Sequence, residues 1–184
     1  MKKIILINGL IVGVVIIGTY FMSTASDSNT GHLAGQVWLG YLVMIVAFSL
    51  IFFGIKQYRD RELGGVIRYG TGVTVGLGIT LVASIVYVGV WEVNLAATDY
   101  AFINDYTESL IEKSRSEGAS IEEMAQLLTE TEAMKVQYGK TPYRLIMTFL
   151  EIFPVGLLIT LLSAAVLRKS SVLSSSPGPG VASD

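Results

Sequence analysis

Four stretches of this chain are apolar, almost uncharged and long enough to cross a bilayer, and nothing else in the sequence limits the possible folds so tightly. The hydrocarbon core of a membrane takes about 20 apolar residues as helix. Residues 4–22 and 36–55 carry no charge. Residues 66–91 carry only Arg68, near their start, and residues 143–167 carry Arg144 near their start and one acid, Glu151, inside. Lipid offers the backbone no hydrogen bonds, so each stretch has to be helix. Charged residues make up 15% of the chain, against roughly 25% in soluble domains, and most of them lie between these stretches. The expected fold class is therefore all-α: a four-helix transmembrane bundle with an extracytoplasmic helical hairpin between spans three and four. Residues 1–91 hold the first three spans, 92–141 the acidic hairpin, 142–169 the last span and 170–184 a cytoplasmic tail.

Orientation follows from lysine and arginine in the short flanks. Lys2 and Lys3 precede span one, Lys56, Arg59, Arg61 and Arg68 surround the turn between spans two and three, and Arg168 and Lys169 follow span four. All fall on one side if the spans are crossed in order, which places both termini in the cytoplasm. The opposite side holds residues 23–35, without lysine or arginine, and the insert, where Lys113, Arg115, Lys135 and Lys140 face ten acids. Tyr20, Trp38, Tyr41, Tyr87, Trp91 and Tyr143 then lie near the outer span ends, and Tyr58 and Tyr69 near the inner ones, as an interfacial belt. Lys2-Lys3, an apolar run and Ser23-Thr24-Ala25 also resemble a signal peptide. The run is longer than the roughly 7–15 residues of a signal core, which favours a retained span.

The insert reads as two amphipathic helices. Asp99 is placed to cap residues 100–116, where Phe102, Ile103, Tyr106, Leu110 and Ile111 share one face. Gly118 breaks that helix. Ser120 and Glu123 have the spacing of a capping box for a second helix over 120–138, with Ile121, Met124, Leu127, Leu128 and Met134 as its apolar stripe. Leu110, Ile111, Leu127 and Leu128 are expected to face each other. Gly139 is positioned as a C-terminal cap, and Pro142 to open the last span. Nothing between Val90 and Ser116 forbids helix, so span three is free to run on into the insert. The tail, rich in Ser, Pro and Gly, is expected to be disordered.

Gly72 and Gly76 on span three, and Gly9 and Gly13 on span one, have the four-residue spacing of close-packed membrane helices, and packing of these two spans is their expected role. The glycines of span three are no phosphate loop, since no strand precedes them and no Lys-Ser/Thr follows. Asn8 suits a helix–helix hydrogen bond. Glu151 lies roughly 12 Å of helix rise below Tyr143. A charge at the bilayer centre costs about 2.5–3.5 kcal/mol, so Glu151 is expected to face protein, with Ser84 and Tyr87 of span three and Tyr41 of span two at a similar depth. It then serves either as a polar clasp between helices or as a proton or cation site. Pro154 is expected to bend the helix just beyond it.

With no cysteine and one histidine, His32, thiolate and multi-histidine metal sites are excluded, as is a cysteine nucleophile. No cofactor or metal is expected. Met1-Lys-Lys-Ile-Ile-Leu-Ile-Asn-Gly9, Gly54-Ile-Lys-Gln-Tyr-Arg-Asp-Arg-Glu-Leu-Gly-Gly65 and Phe149-Leu-Glu-Ile-Phe-Pro-Val-Gly156 resemble an uncharacterised bacterial family of small inner-membrane proteins known only as a domain of unknown function. The likeness extends over essentially the whole chain. It implies a bacterial inner-membrane helical protein and brings no activity or catalytic residue. The expected role is non-enzymatic, through packing or partner binding as an oligomer or accessory subunit. The expected partners are the lipid bilayer and a second copy or another membrane protein, with no nucleic acid. The alternative is a small transporter or channel component that uses Glu151.

Overall fold

The computed structural model describes residues 1–26 and 37–169, with side chains over 1–18 and 41–169. All regular structure among them is helical: α1 (Lys2–Ser26), α2 (Val37–Phe48), α3 (Leu50–Glu62), α4 (Tyr69–Ala97), α5 (Ala101–Ser116), α6 (Ile121–Tyr138) and α7 (Thr141–Leu167). Three stretches among the described residues are long and apolar enough to cross a membrane: Tyr41–Glu62, Tyr69–Ala97 and Thr141–Leu167. The expected first span falls in α1, only part of which has described side chains. The loop with His32 and the tail 170–184 lie outside the described residues.

Each span outlasts its apolar window. Helix α3 carries Lys56, Arg59, Asp60 and Arg61 on its last turns, so the basic segment expected as a turn is a helical extension. The link to α4 is short. The amides of Leu63 and Gly65 both donate to the Arg59 carbonyl, and Gly64 and Gly65 take φ of 66° and 94°, a conformation that side chains with a Cβ resist. Helix α2 passes to α3 through Ser49, whose hydroxyl donates to the Val46 carbonyl at 2.5 Å.

Helix α4 is the centre of the bundle, packed on α1 and α7, with α3 lying against α1, α4 and α7 and α2 against α1 and α7. Phe48, Ile51, Ile55, Val75, Ile79 and Ile152 fill the space between them. Spans one and three pack together as expected, but of the two glycine pairs only Gly9 and Gly13 serve that contact. A methyl on Gly9 or Gly13 would strike Val82 at 2.5 Å or Val86 at 2.9 Å, so α1 runs parallel to α4 with its glycines receiving valines. Gly72 and Gly76 turn instead to α7, against Ala164 and Thr160. Each notch receives a small or branched side chain from the facing helix, which keeps the contact close-packed. Asn8 makes its helix–helix bond, donating to Gln57 Oε1 at 3.0 Å.

Helices α5 and α6 pack against each other at the far end of the bundle. The capping box is formed: Ser120 Oγ accepts from the Glu123 amide at 3.2 Å, and Glu123 Oε2 from the Ser120 amide at 2.8 Å. Three expectations need correction. Asp99 caps nothing. It and Tyr100 take φ of 50° and 58°, and this left-handed pair ends the α4 path and starts α5 at Ala101. Gly139 does stand at the C-cap of α6, its amide donating to the Lys135 and Gln137 carbonyls, but its φ of −60° is right-handed, so the cap is not the left-handed one. The buried face of α6 runs through Met124, Leu127, Thr131 and Tyr138, which leaves Ile121 85% and Leu128 48% exposed. Tyr138 and Thr131 turn inwards, and that rotation carries Leu128 and Ile121 away from α5.

Candidate functional site

One antiparallel register joins α4 to α7. A methyl on Gly72 would meet Ala164 Cβ at 3.1 Å, one on Gly76 would meet Thr160 Cγ2 at 2.6 Å, and one on Gly156 would meet Thr80 Cγ2 at 2.5 Å. Each step of four along α4 is answered by a step of four back along α7. Small residues in these rows let two backbones approach, which drives helix association in lipid, where apolar burial supplies no force. Thr80 donates to the Gly76 carbonyl at 3.0 Å, so the 3.1 Å contact between Thr80 and Thr160 is a bond donated by the Thr160 hydroxyl. The same register sets Ser84 opposite Ile152, both fully buried. It ends at Glu92 and Arg144.

That last rung is a dense polar site. Arg144 Nε donates to Glu92 Oε1 and Nη2 to Oε2, each at 2.7 Å, in a two-pronged pair. Nη1 donates to the Tyr138 carbonyl at 2.9 Å, and Nη2 also reaches Thr141 Oγ1 at 3.4 Å. The guanidinium lies 4.9 Å from the Tyr100 ring centre and 5.9 Å from that of Tyr138. Trp91 Nε1 donates to the Tyr138 hydroxyl at 3.1 Å and packs edge-on to Phe102 at 5.0 Å. Burial pushes the Tyr138 hydroxyl above its ordinary pKa, against the pull of the Trp91 bond, so it stays neutral. The clasp thus ties together the end of α4, the left-handed turn, the end of α6 and the start of α7. Four donor contacts occupy the guanidinium, whose five N–H groups leave little for a ligand. In the sequence Arg144 stood out at the start of span four, while Glu92 was only the first residue of the insert, and nothing joined the two. The available signal was a cation at the start of one apolar window and an acid just past the end of an antiparallel one.

The residues expected around Glu151 are not brought together. Ser84 is buried in the α4–α7 interface with its hydroxyl unbonded, and Tyr87 is buried and stacked on Trp91. Tyr41 is exposed. Glu151 is also exposed, on the outer surface of the bundle, and among the described residues it makes no hydrogen bond or ion pair. The expectation that it points inwards is therefore corrected. The row facing α4 runs through Thr148, Ile152 and Gly156, and Glu151 sits about 100° around the helix from Ile152. Its neighbours on the exposed side are Met147, Leu150 and Leu158. Pro154 lies within α7, which is helical on both sides of it.

Residues 7–169 match the family DUF4199, described as a protein of unknown function. No curated protein and no solved structure matches the chain.

Proposed function

The chain belongs to the DUF4199 family, and from that premise we propose a non-enzymatic multi-pass protein of the bacterial inner membrane that works by lateral contact with another membrane protein or a second copy of itself. In this reading α1, the α2–α3 rod, α4 and α7 are four spans, both termini are cytoplasmic, and α5 and α6 form a hairpin on the outer side. The observation that carries it is Glu151, an exposed carboxyl on an otherwise apolar helix face. Left against lipid it costs about 2.5–3.5 kcal/mol, a penalty that a partner helix removes. Transport through the bundle draws less support, because Gly72, Gly76 and Gly156 close the α4–α7 seam to van der Waals contact.

The chain has no cysteine, so single cysteines report unambiguously. Leu150→Cys and Leu158→Cys, on the Glu151 side of α7, should form cross-linked adducts in native membranes. Ile85→Cys, exposed on α4, should not. Adding Glu151→Leu should abolish the adducts and leave the melting temperature of the purified chain unchanged, since no donor inside the bundle loses its acceptor. Equal labelling at all three positions, or none, would refute lateral contact through α7.

A further inference from the structure

The α4–α7 register has a second end. Extended by one turn beyond Gly72 and Ala164, the same register sets Arg68, the N-cap of α4, at the level of Arg168, the C-cap of α7, with Lys169 adjoining. The two arginines are far apart in sequence, and the close contact of Gly72 with Ala164 holds their helix ends together. All three side chains are exposed, and no acid among the described residues bonds any of them. Of the two acids on α3 at this end, Asp60 is taken by Lys56 at 2.6 Å and Arg59 at 2.7 Å, and Glu62 is exposed. Ile67 is buried beside Arg68, and Leu167 beside Arg168, so neighbouring core residues anchor both arginines at the surface. Two cations held level without a counter-charge repel each other, and an anion between them relieves that repulsion.

We infer that Arg68 and Arg168, with Lys169, bind the phosphate of an anionic phospholipid headgroup at the terminal end of the α4–α7 seam. Guanidinium groups match phosphate oxygens with two parallel bonds, which a diffuse basic surface does not provide. The surroundings favour a lipid over a free anion. Val166 and Leu162 are exposed on α7 just before Arg168, Tyr69 is exposed next to Arg68, and Gly70 leaves open space on that side of α4. Acyl chains thus have an apolar surface directly beneath the headgroup. The inference is independent of any role for Glu151.

The full chain, purified in neutral detergent, would be titrated with phosphatidylglycerol or phosphatidylcholine, and bound lipid read by native mass spectrometry. Phosphatidylglycerol should bind at a saturable site in preference to phosphatidylcholine. Arg68→Gln/Arg168→Gln should weaken it about 30-fold, from the contribution of two basic residues at an anionic surface. Lys2→Gln/Lys3→Gln, which removes the same charge from the same end, should leave it within about twofold. If the double arginine variant does not fold, each single variant should give a smaller loss. Equal loss in the arginine and lysine pairs would make the attraction diffuse and overturn the site. Equal binding of both lipids would overturn it as well. Displacement by inorganic phosphate at millimolar concentration would assign the arginines to a free anion.

Discussion

Replacing Glu92 with leucine tests whether the Arg144 clasp holds the bundle together. The change strands a guanidinium whose side chain is 3% exposed, in a site walled by Tyr100 and Tyr138. Removing one partner of a buried ion pair costs about 3–5 kcal/mol. Glu92 itself is 21% exposed, so water partly replaces it and the loss falls at the lower end, about 3 kcal/mol. At about 2–4 °C per kcal/mol for a chain of this size, Glu92→Leu should melt about 6–12 °C below the parent. Glu92→Leu/Arg144→Leu should recover most of that loss, because two leucines fill the gap and leave no unpaired charge. Thermal unfolding in mild detergent reads all the variants, and raising the salt to about 1 M should change the parent little, since a buried pair is poorly screened. The reasoning fails if Glu92→Leu melts within about 2 °C of the parent, as a surface pair would. It fails equally if the double variant loses the sum of the two single losses, which would mean the residues do not interact.

Two further outcomes follow from the geometry. Gly156→Ala puts a methyl 2.5 Å from Thr80 and 2.8 Å from the Phe48 ring, and should cost about 1–3 kcal/mol in the same melting assay, whereas Gly89→Ala meets nothing within 4 Å and should be tolerated. The Ser120 amide, then its hydroxyl, hold the Glu123 carboxyl below its ordinary pKa, so the stability this box adds is present above the unfolded carboxylate pKa and is lost as pH falls through the lowered folded value. Protection against amide exchange across the first turn of α6, taken relative to the intrinsic rate at each pH, should fall on that acid side in the parent and not in Glu123→Gln; unchanged protection in the parent would count against the box.

What sequence could show here depended on how local the physics was. The length of the apolar windows announced the helices, and the Ser120–Glu123 spacing announced the start of α6, because both are written within one turn or one span. The left-handed pair Asp99–Tyr100 was invisible, since neither residue is glycine and both are compatible with helix. The α4–α7 register was hidden because its rows contain Val88 and Ile152 as well as glycine and threonine, and it emerges only when two distant segments are aligned. The rotation of α6 depends on Thr131, which a search for apolar stripes passes over. Glu151 was misplaced because the argument from burial cost assumed that a single chain must satisfy its own polar groups.

The register also fixes a length. From the Arg68–Arg168 level to the Glu92–Arg144 level is about 24 residues of either helix, roughly 36 Å of rise. A bilayer's hydrocarbon core is about 30 Å thick. In the proposed membrane reading, sliding either helix would carry the exposed Arg68 or Arg168 towards lipid and break the buried Glu92–Arg144 pair. The seam behaves as a rigid strut, and the mismatch has to be absorbed by tilting the bundle or thickening the surrounding membrane. In the proposed four-span reading, a thinner bilayer would meet a seam of unchanged length, and the bundle's tilt, not its core contacts, would take up the difference.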